Sequence, residues 1–85
     1  MISIKYFGAA WCGPCKQVKP IIKSLDNQDS IEYIDVDSET SIAALYRVAA
    51  IPTIVYEDEN KVEKRRRVGM VTKAIVLKDL EELDV

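Results

Sequence analysis

Cys12 and Cys15 are the only two cysteines of this 85-residue chain, and two residues separate them. A disulfide that closes so small a loop removes little entropy from the unfolded chain, so a stabilising staple explains the pair poorly. A structural zinc site needs four ligands, and the chain has no histidine, so a closed site would require two chains or unusual carboxylate ligation. These residues therefore favour thiol–disulfide redox chemistry, with no metal site.

A strand is predicted before the cysteines and a helix after them. The strand ends at Gly8, and its apolar residues alternate with polar ones: Ile2, Ile4 and Tyr6. Helical spacing of apolar residues predicts a helix from Cys12 or Gly13 to Asn27, with Pro14 in its first turn and a kink at Pro20. Cys12 is thereby expected at a helix N-terminus, where backbone N–H groups and the helix dipole favour a thiolate.

The remaining patterns predict a second strand over 31–36, a helix capped by Ser38 or Ser41, a hairpin of strands over 51–56 and 61–68, and a last helix capped by Thr72. The order β-α-β-α-β-β-α predicts an α/β fold with a four-stranded mixed sheet and helices on both faces. The length favours one domain over residues 1–85.

Composition excludes several classes of function. Twelve Lys and Arg against fourteen Asp and Glu give a net charge of −2, which favours neither nucleic acid nor anionic membranes. The basic run over 64–67 is interpreted as a solvated edge strand, with a partner-docking patch as the alternative. No apolar run is long enough to span a bilayer, and the start over 1–11 has Lys5 in its middle and no charged leader before an apolar stretch. We therefore expect a cytoplasmic protein.

Four features together resemble the thioredoxin family over essentially the whole chain. They are Trp-Cys-Gly-Pro-Cys-Lys at 11–16 after a strand, Pro20 in the following helix, Ile51-Pro52-Thr53 opening a later strand, and Val68-Gly69 before the last helix. The resemblance implies a thioredoxin-like fold without the leading strand and helix of ordinary thioredoxins, comparable in size to the core of a glutaredoxin.

The resemblance also implies an activity, protein disulfide reduction. Cys12 would attack a substrate disulfide and Cys15 would resolve the mixed disulfide, leaving a Cys12–Cys15 disulfide, while Gly13 and Pro14 shape the helix entry. It implies a substrate surface made of Trp11, Ile51, a cis Pro52, Thr53 and Gly69. No bound cofactor is expected; the partners would be a thioredoxin reductase or similar flavoprotein and disulfide-containing proteins, and the protein would be a monomer.

The sequence departs from the family at two positions beside the cysteines. Tyr6 stands where thioredoxins usually carry a buried Asp that is thought to help deprotonate the second cysteine, and Gly8 stands where many have a second Trp. Tyr6 is interpreted as a core residue whose hydroxyl is satisfied. Asp35 and Asp37 are interpreted as strand-end or capping residues, with nothing to place them near the sulfurs.

Three alternative functions stay open. A glutathione-coupled, glutaredoxin-like enzyme fits the short length, although the segment over 68–71 lacks the Gly-Gly and following Asp that glutaredoxins use near glutathione. The fold could also serve as a non-catalytic binding module of a larger complex. A dimer could bridge an iron–sulfur cluster through an exposed cysteine.

Overall fold

The computed structural model describes residues 1–84 and confirms the predicted α/β architecture. The strands are β1 (Ser3–Gly8), β2 (Ile31–Asp35), β3 (Thr53–Glu57) and β4 (Glu63–Val68). They form one sheet in the order β2-β1-β3-β4, in which β1 and β2 are parallel and the other neighbours antiparallel. The helices are α1 (Cys15–Lys23), α2 (Thr40–Leu45) and α3 (Lys73–Leu83), and a 3-10 turn spans Gln28–Ser30.

Each face of the sheet covers its own hydrophobic cluster, because successive side chains of a strand point to opposite faces. Tyr6 of β1 belongs to the larger cluster, together with Val18 and Ile22 of α1 and Val76 of α3. The next residue, Phe7, belongs to a smaller cluster on which α2 packs. The helices therefore lie on both sides of the sheet, as the sequence predicts.

The end of α1 differs from the prediction. The helix continues past Pro20 as expected, but it ends at Lys23 rather than Asn27. The Ser24 hydroxyl donates to the carbonyl oxygen of Ile21 at 2.6 Å, and the side-chain amide of Gln28 donates to three further carbonyl oxygens at this end, those of Ile22, Lys23 and Leu25. Side chains thus replace the hydrogen bonds that further helical turns would have made.

The predicted serine cap of α2 is wrong, whereas the cap of α3 is confirmed. Glu39 is the N-terminal flanking residue of α2, without a side-chain cap, and the Ser38 hydroxyl is directed to the carbonyl oxygen of Asp35. That carbonyl also accepts the backbone N–H of Glu39 at 2.8 Å, so the end of β2 anchors the start of α2. The Thr72 hydroxyl accepts the backbone N–H of Ile75 at 3.2 Å.

The hairpin of β3 and β4 is confirmed, but both strands begin later than predicted. β3 begins at Thr53, directly after Pro52, and β4 begins at Glu63. The Asp58 carboxylate accepts the backbone N–H groups of Asn60 and Val62, which holds the intervening residues in a turn.

The basic run is part of β4, and its arginines are half-buried and paired rather than solvated. Arg65 and Arg67 both donate to the Asp79 carboxylate of α3, which is 1% exposed. Arg66 projects the other way and donates to Glu63 and to the carbonyl oxygen of Tyr46. Alternation along the strand therefore divides the arginines between the two faces, where Arg65 and Arg67 pair with the buried Asp79 and Arg66 pairs with the exposed Glu63.

A second buried ion pair lies on the α2 side of the sheet. The Lys5 ammonium donates to the Glu57 carboxylate at 2.7 Å, and the Tyr46 hydroxyl donates to the other carboxylate oxygen at 2.5 Å. Burial alone would lower the pKa of Lys5, but the contact with Glu57 leaves it raised, so the ammonium stays charged.

Within residues 1–84, no helix is both long and apolar enough to cross a bilayer.

Candidate active site

A disulfide joins Cys12 and Cys15 at the start of α1. The helix begins at Cys15, later than predicted. Pro14 is its N-terminal flanking residue, and Gly13 lies in the turn before it. The backbone N–H of Cys15 donates to Sγ of Cys12 at 3.2 Å. The first N–H groups of a helix lack intrahelical acceptors and carry the positive end of its dipole, so this position stabilises negative charge on the Cys12 sulfur.

Both cysteines are buried in this oxidised form. Each keeps 4% of its surface exposed and belongs to the same hydrophobic cluster as Val18 and Val71. The exposed cysteine that a cluster-bridging dimer would use is therefore not present in the disulfide form. Trp11, the preceding residue, is 68% exposed.

The loop before β3 and the loop after β4 meet at one hydrogen bond. The Ile51–Pro52 peptide bond is cis, and the carbonyl oxygen of Pro52 accepts the backbone N–H of Gly69 at 2.8 Å. Gly69 has a φ of +91°, a left-handed conformation that favours glycine. Ile51 packs against the cluster that contains both cysteines, while the buried Thr53 donates its hydroxyl to the carbonyl oxygen of Ala50 at 2.6 Å.

Asp37 is the site residue that sequence reasoning missed. Its carboxylate accepts a 2.7 Å hydrogen bond from the indole N–H of Trp11, which directly precedes Cys12. The prediction treated Asp37 only as a strand-end or capping residue and missed this contact with Trp11. Asp35 has the predicted strand-end role, since its side chain accepts the backbone N–H of Asp37 at 2.9 Å. The parallel pairing of β1 and β2 brings the ends of both strands to one edge of the sheet, where this contact forms.

Tyr6 is a buried core residue, as predicted, and its hydroxyl donates a long 3.4 Å hydrogen bond to the carbonyl oxygen of Cys15. Burial raises the pKa of its phenol, which stays neutral at physiological pH. The ring lies directly over Gly8: a Cβ atom there would come within 2.7 Å of the Tyr6 hydroxyl oxygen. The two departures from the family pattern are thus coupled, because the large residue at 6 requires the small one at 8.

Metal-ligating side chains do not form a cluster with these cysteines in the part of the chain that the structure describes. Among residues 1–84, no group of three or more Cys, Asp or Glu side chains is arranged to hold a metal ion. The two sulfurs can carry two electrons by opening and closing their disulfide bond. A buried disulfide at the N-terminus of a helix that packs on a mixed sheet defines the class of this protein, a thiol–disulfide oxidoreductase.

The chain belongs to the thioredoxin family, since the family model Thioredoxin matches residues 2–82. A thioredoxin of Mycoplasma genitalium is 42% identical over 74 residues, which cover 84% of this chain and 72% of that protein. A thioredoxin of Staphylococcus epidermidis is 44% identical over 63 residues, which cover 68% of this chain and 61% of that protein. The chain therefore spans about two thirds of the length of these relatives.

Two further comparisons involve a solved structure and a longer relative. A mutant thioredoxin from Halobacterium salinarum superposes with a TM-score of 0.82 at 32% identity, covering 96% of this chain and 73% of that structure. A bifunctional thioredoxin reductase/thioredoxin of Mycobacterium leprae is 36% identical over 81 residues, 91% of this chain and 18% of that protein. The first comparison supports the fold assignment in three dimensions.

Proposed function

We propose that this protein reduces disulfide bonds in other proteins, with Cys12 as the nucleophile and Cys15 as the resolving thiol. The observation that supports this assignment best is the hydrogen bond from the Cys15 backbone N–H to Sγ of Cys12. It stabilises charge on the sulfur of Cys12. The thiolate is the nucleophilic form of a cysteine, and the positive end of a helix dipole favours that charged form.

The reaction transfers two electrons in two exchange steps. The Cys12 thiolate attacks one sulfur of the substrate disulfide, the substrate S–S bond breaks, and the released substrate thiolate takes up a proton. Cys15, after losing its proton, then attacks Sγ of Cys12. The second substrate thiolate leaves, and the substrate is reduced while the Cys12–Cys15 disulfide forms.

An exposed apolar surface suits the docking of an unfolded or extended substrate segment. More than half of the surface of each of three apolar residues is exposed: Trp11, Val68 and Met70. Large apolar side chains are more often buried. Val68 and Met70 flank Gly69, whose N–H holds the carbonyl oxygen of Pro52. The Ile51 backbone would pair with the substrate backbone in extended conformation.

The electron donor that fits this proposal is a thioredoxin reductase or a similar flavoprotein, acting in a reducing compartment such as the cytoplasm. Family membership supports it, as does the relative from Mycobacterium leprae whose name joins a thioredoxin reductase to a thioredoxin. In this role the protein is a diffusible electron carrier that needs no bound cofactor.

An insulin-reduction assay tests the proposal. We expect the protein to accelerate insulin precipitation with dithiothreitol, and to turn over with NADPH and a bacterial thioredoxin reductase faster than with glutathione and glutathione reductase. The Cys12→Ser variant should show the dithiothreitol background alone. Wild-type activity at that background would refute the reductase and favour a binding module, whereas faster turnover with glutathione would favour the glutaredoxin-like enzyme.

A further inference from the structure

A cavity of about 790 Å³ lies between α1 and the edge of the sheet formed by β1 and β2. The cavity is lined from β1 by Tyr6 and Gly8 and from β2 by Tyr33 and Ile34, and Cys15 also contributes to it. This volume is in the range of small-molecule sites, which are concave and mostly apolar with a few polar groups. We refer to this cavity as the α1–β2 groove.

The groove depends on the tyrosine pair and on the missing side chain at Gly8. Tyr6 and Tyr33 are direct neighbours across the two strands, with ring centroids 5.9 Å apart. A larger residue at position 8 would collide with the Tyr6 ring. Tyr6 is only 3% exposed and packs against the half-buried Tyr33, so the sheet presents the Tyr33 ring to the groove, which suits an aromatic molecule.

The helix side of the groove is positively charged. Lys16, Lys19 and Lys23 all line it and are exposed, and their spacing places them on one face of α1. The ammonium groups of Lys19 and Lys23 lie 5.8 Å and 4.3 Å from the centroid of the Tyr33 ring. Asp35 is the one acidic residue among the lining residues, so three positive charges face one negative charge.

We propose that the α1–β2 groove binds a small anionic aromatic molecule, such as an aryl carboxylate or sulfonate. The aromatic ring of the ligand would pack beside Tyr33, and the anionic group would pair with Lys19 and Lys23. This site is distinct from the substrate surface around Trp11 and does not depend on the reductase activity. A bound molecule would nevertheless lie beside Cys15, because that residue lines the groove.

Titration of the ¹⁵N-labelled oxidised protein with 2-naphthoate tests the proposal by NMR. We expect saturable amide shifts on α1 and β2, with a Kd of about 1 mM or lower. The neutral isostere 2-naphthalenemethanol should bind about tenfold more weakly, because it lacks the charge that pairs with the lysines. Equal binding of the alcohol, or shifts centred on Trp11 and Met70, would overturn the proposal.

Charge variants on the surface of α1 distinguish binding in the α1–β2 groove from nonspecific binding. The Lys19→Gln/Lys23→Gln double variant should weaken 2-naphthoate binding about tenfold, whereas Lys78→Gln, an exposed lysine of α3 outside the groove, should leave it unchanged. Lys19→Glu/Lys23→Glu should reverse the preference, so that 2-naphthylmethylammonium binds more tightly than the carboxylate. An unchanged preference in that variant would contradict the proposal, whatever the outcome of the insulin assay.

Discussion

Replacing Asp79 by Asn should destabilise the protein in a manner that depends on pH. The Asp79 carboxylate is 1% exposed and accepts hydrogen bonds from Arg67 at 2.8 and 2.9 Å and from Arg65 at 2.5 Å. The contacts with Arg67, opposed by burial and aided by Arg65, lower the pKa of Asp79 from 3.8 to about 2. These bonds join α3 to β4, and the loop between them carries Gly69 of the proposed substrate surface.

The size of the effect follows from that pKa. At about 1.4 kcal/mol per unit, the shift corresponds to about 2 kcal/mol of stability. Because the pKa of the folded state is depressed, this contribution is fully present above about pH 4 and is lost as the pH falls toward 2. We therefore expect Asp79→Asn to lower the free energy of unfolding by about 2 kcal/mol at pH 7 and by little at pH 2.

Urea denaturation followed by far-UV circular dichroism between pH 2 and pH 7 measures this difference. Glu81→Gln is the matched control, since Glu81 is an exposed carboxylate on the same helix. The free energy of unfolding of this variant should equal that of the wild type from pH 2 to pH 7. A difference between wild type and Asp79→Asn that stays constant from pH 7 to pH 2 would refute the electrostatic explanation and point to a packing defect instead.

Three further substitutions test other contacts. Asp37→Asn should raise the KM for insulin two- to fivefold (about 1 kcal/mol at most), because the Trp11 indole loses its charged acceptor. In steady-state kinetics kcat should be unchanged, and an unchanged KM would contradict this role. Tyr6→Phe should leave the pH profile of insulin reduction unchanged, because burial keeps the phenol neutral, and a shifted profile would identify Tyr6 as a proton acceptor. Lys5→Met should lower the free energy of unfolding at pH 7 by about 3 kcal/mol in urea denaturation, because the 1%-exposed Glu57 would lose its countercharge; a loss below about 1 kcal/mol would contradict this.

The element order was predictable because each element carries a local signal. The alternation in β1, the apolar spacing in α1 and the cap at Thr72 are all encoded within a few residues, and the structure confirms them. Boundaries set by distant side chains were not predictable. The end of α1 depends on the Gln28 amide, which returns from outside the helix to its last carbonyl groups.

The site shows the same division. The cysteine pair was identifiable from its spacing, and the interpretation of Tyr6 as core followed from its place in an apolar alternation. The Trp11–Asp37 contact joins residues 26 positions apart and forms because β1 and β2 pair in parallel. No local sequence pattern could therefore predict it. The pairing of Arg65 and Arg67 with Asp79 likewise joins different elements, so the sequence of the run alone indicates a solvated strand.

Trapping the mixed disulfide tests the assigned roles of the two cysteines most directly. When reduced Cys15→Ser protein is mixed with a disulfide-bonded peptide, mass spectrometry after alkylation and proteolysis should find the peptide attached to Cys12, in a complex that persists until dithiothreitol is added. The reduced Cys12→Ser variant should form little or none of this complex. Stable attachment to Cys15 in Cys12→Ser, at a rate equal to that of the other variant, would contradict the assignment of Cys12 as the nucleophile.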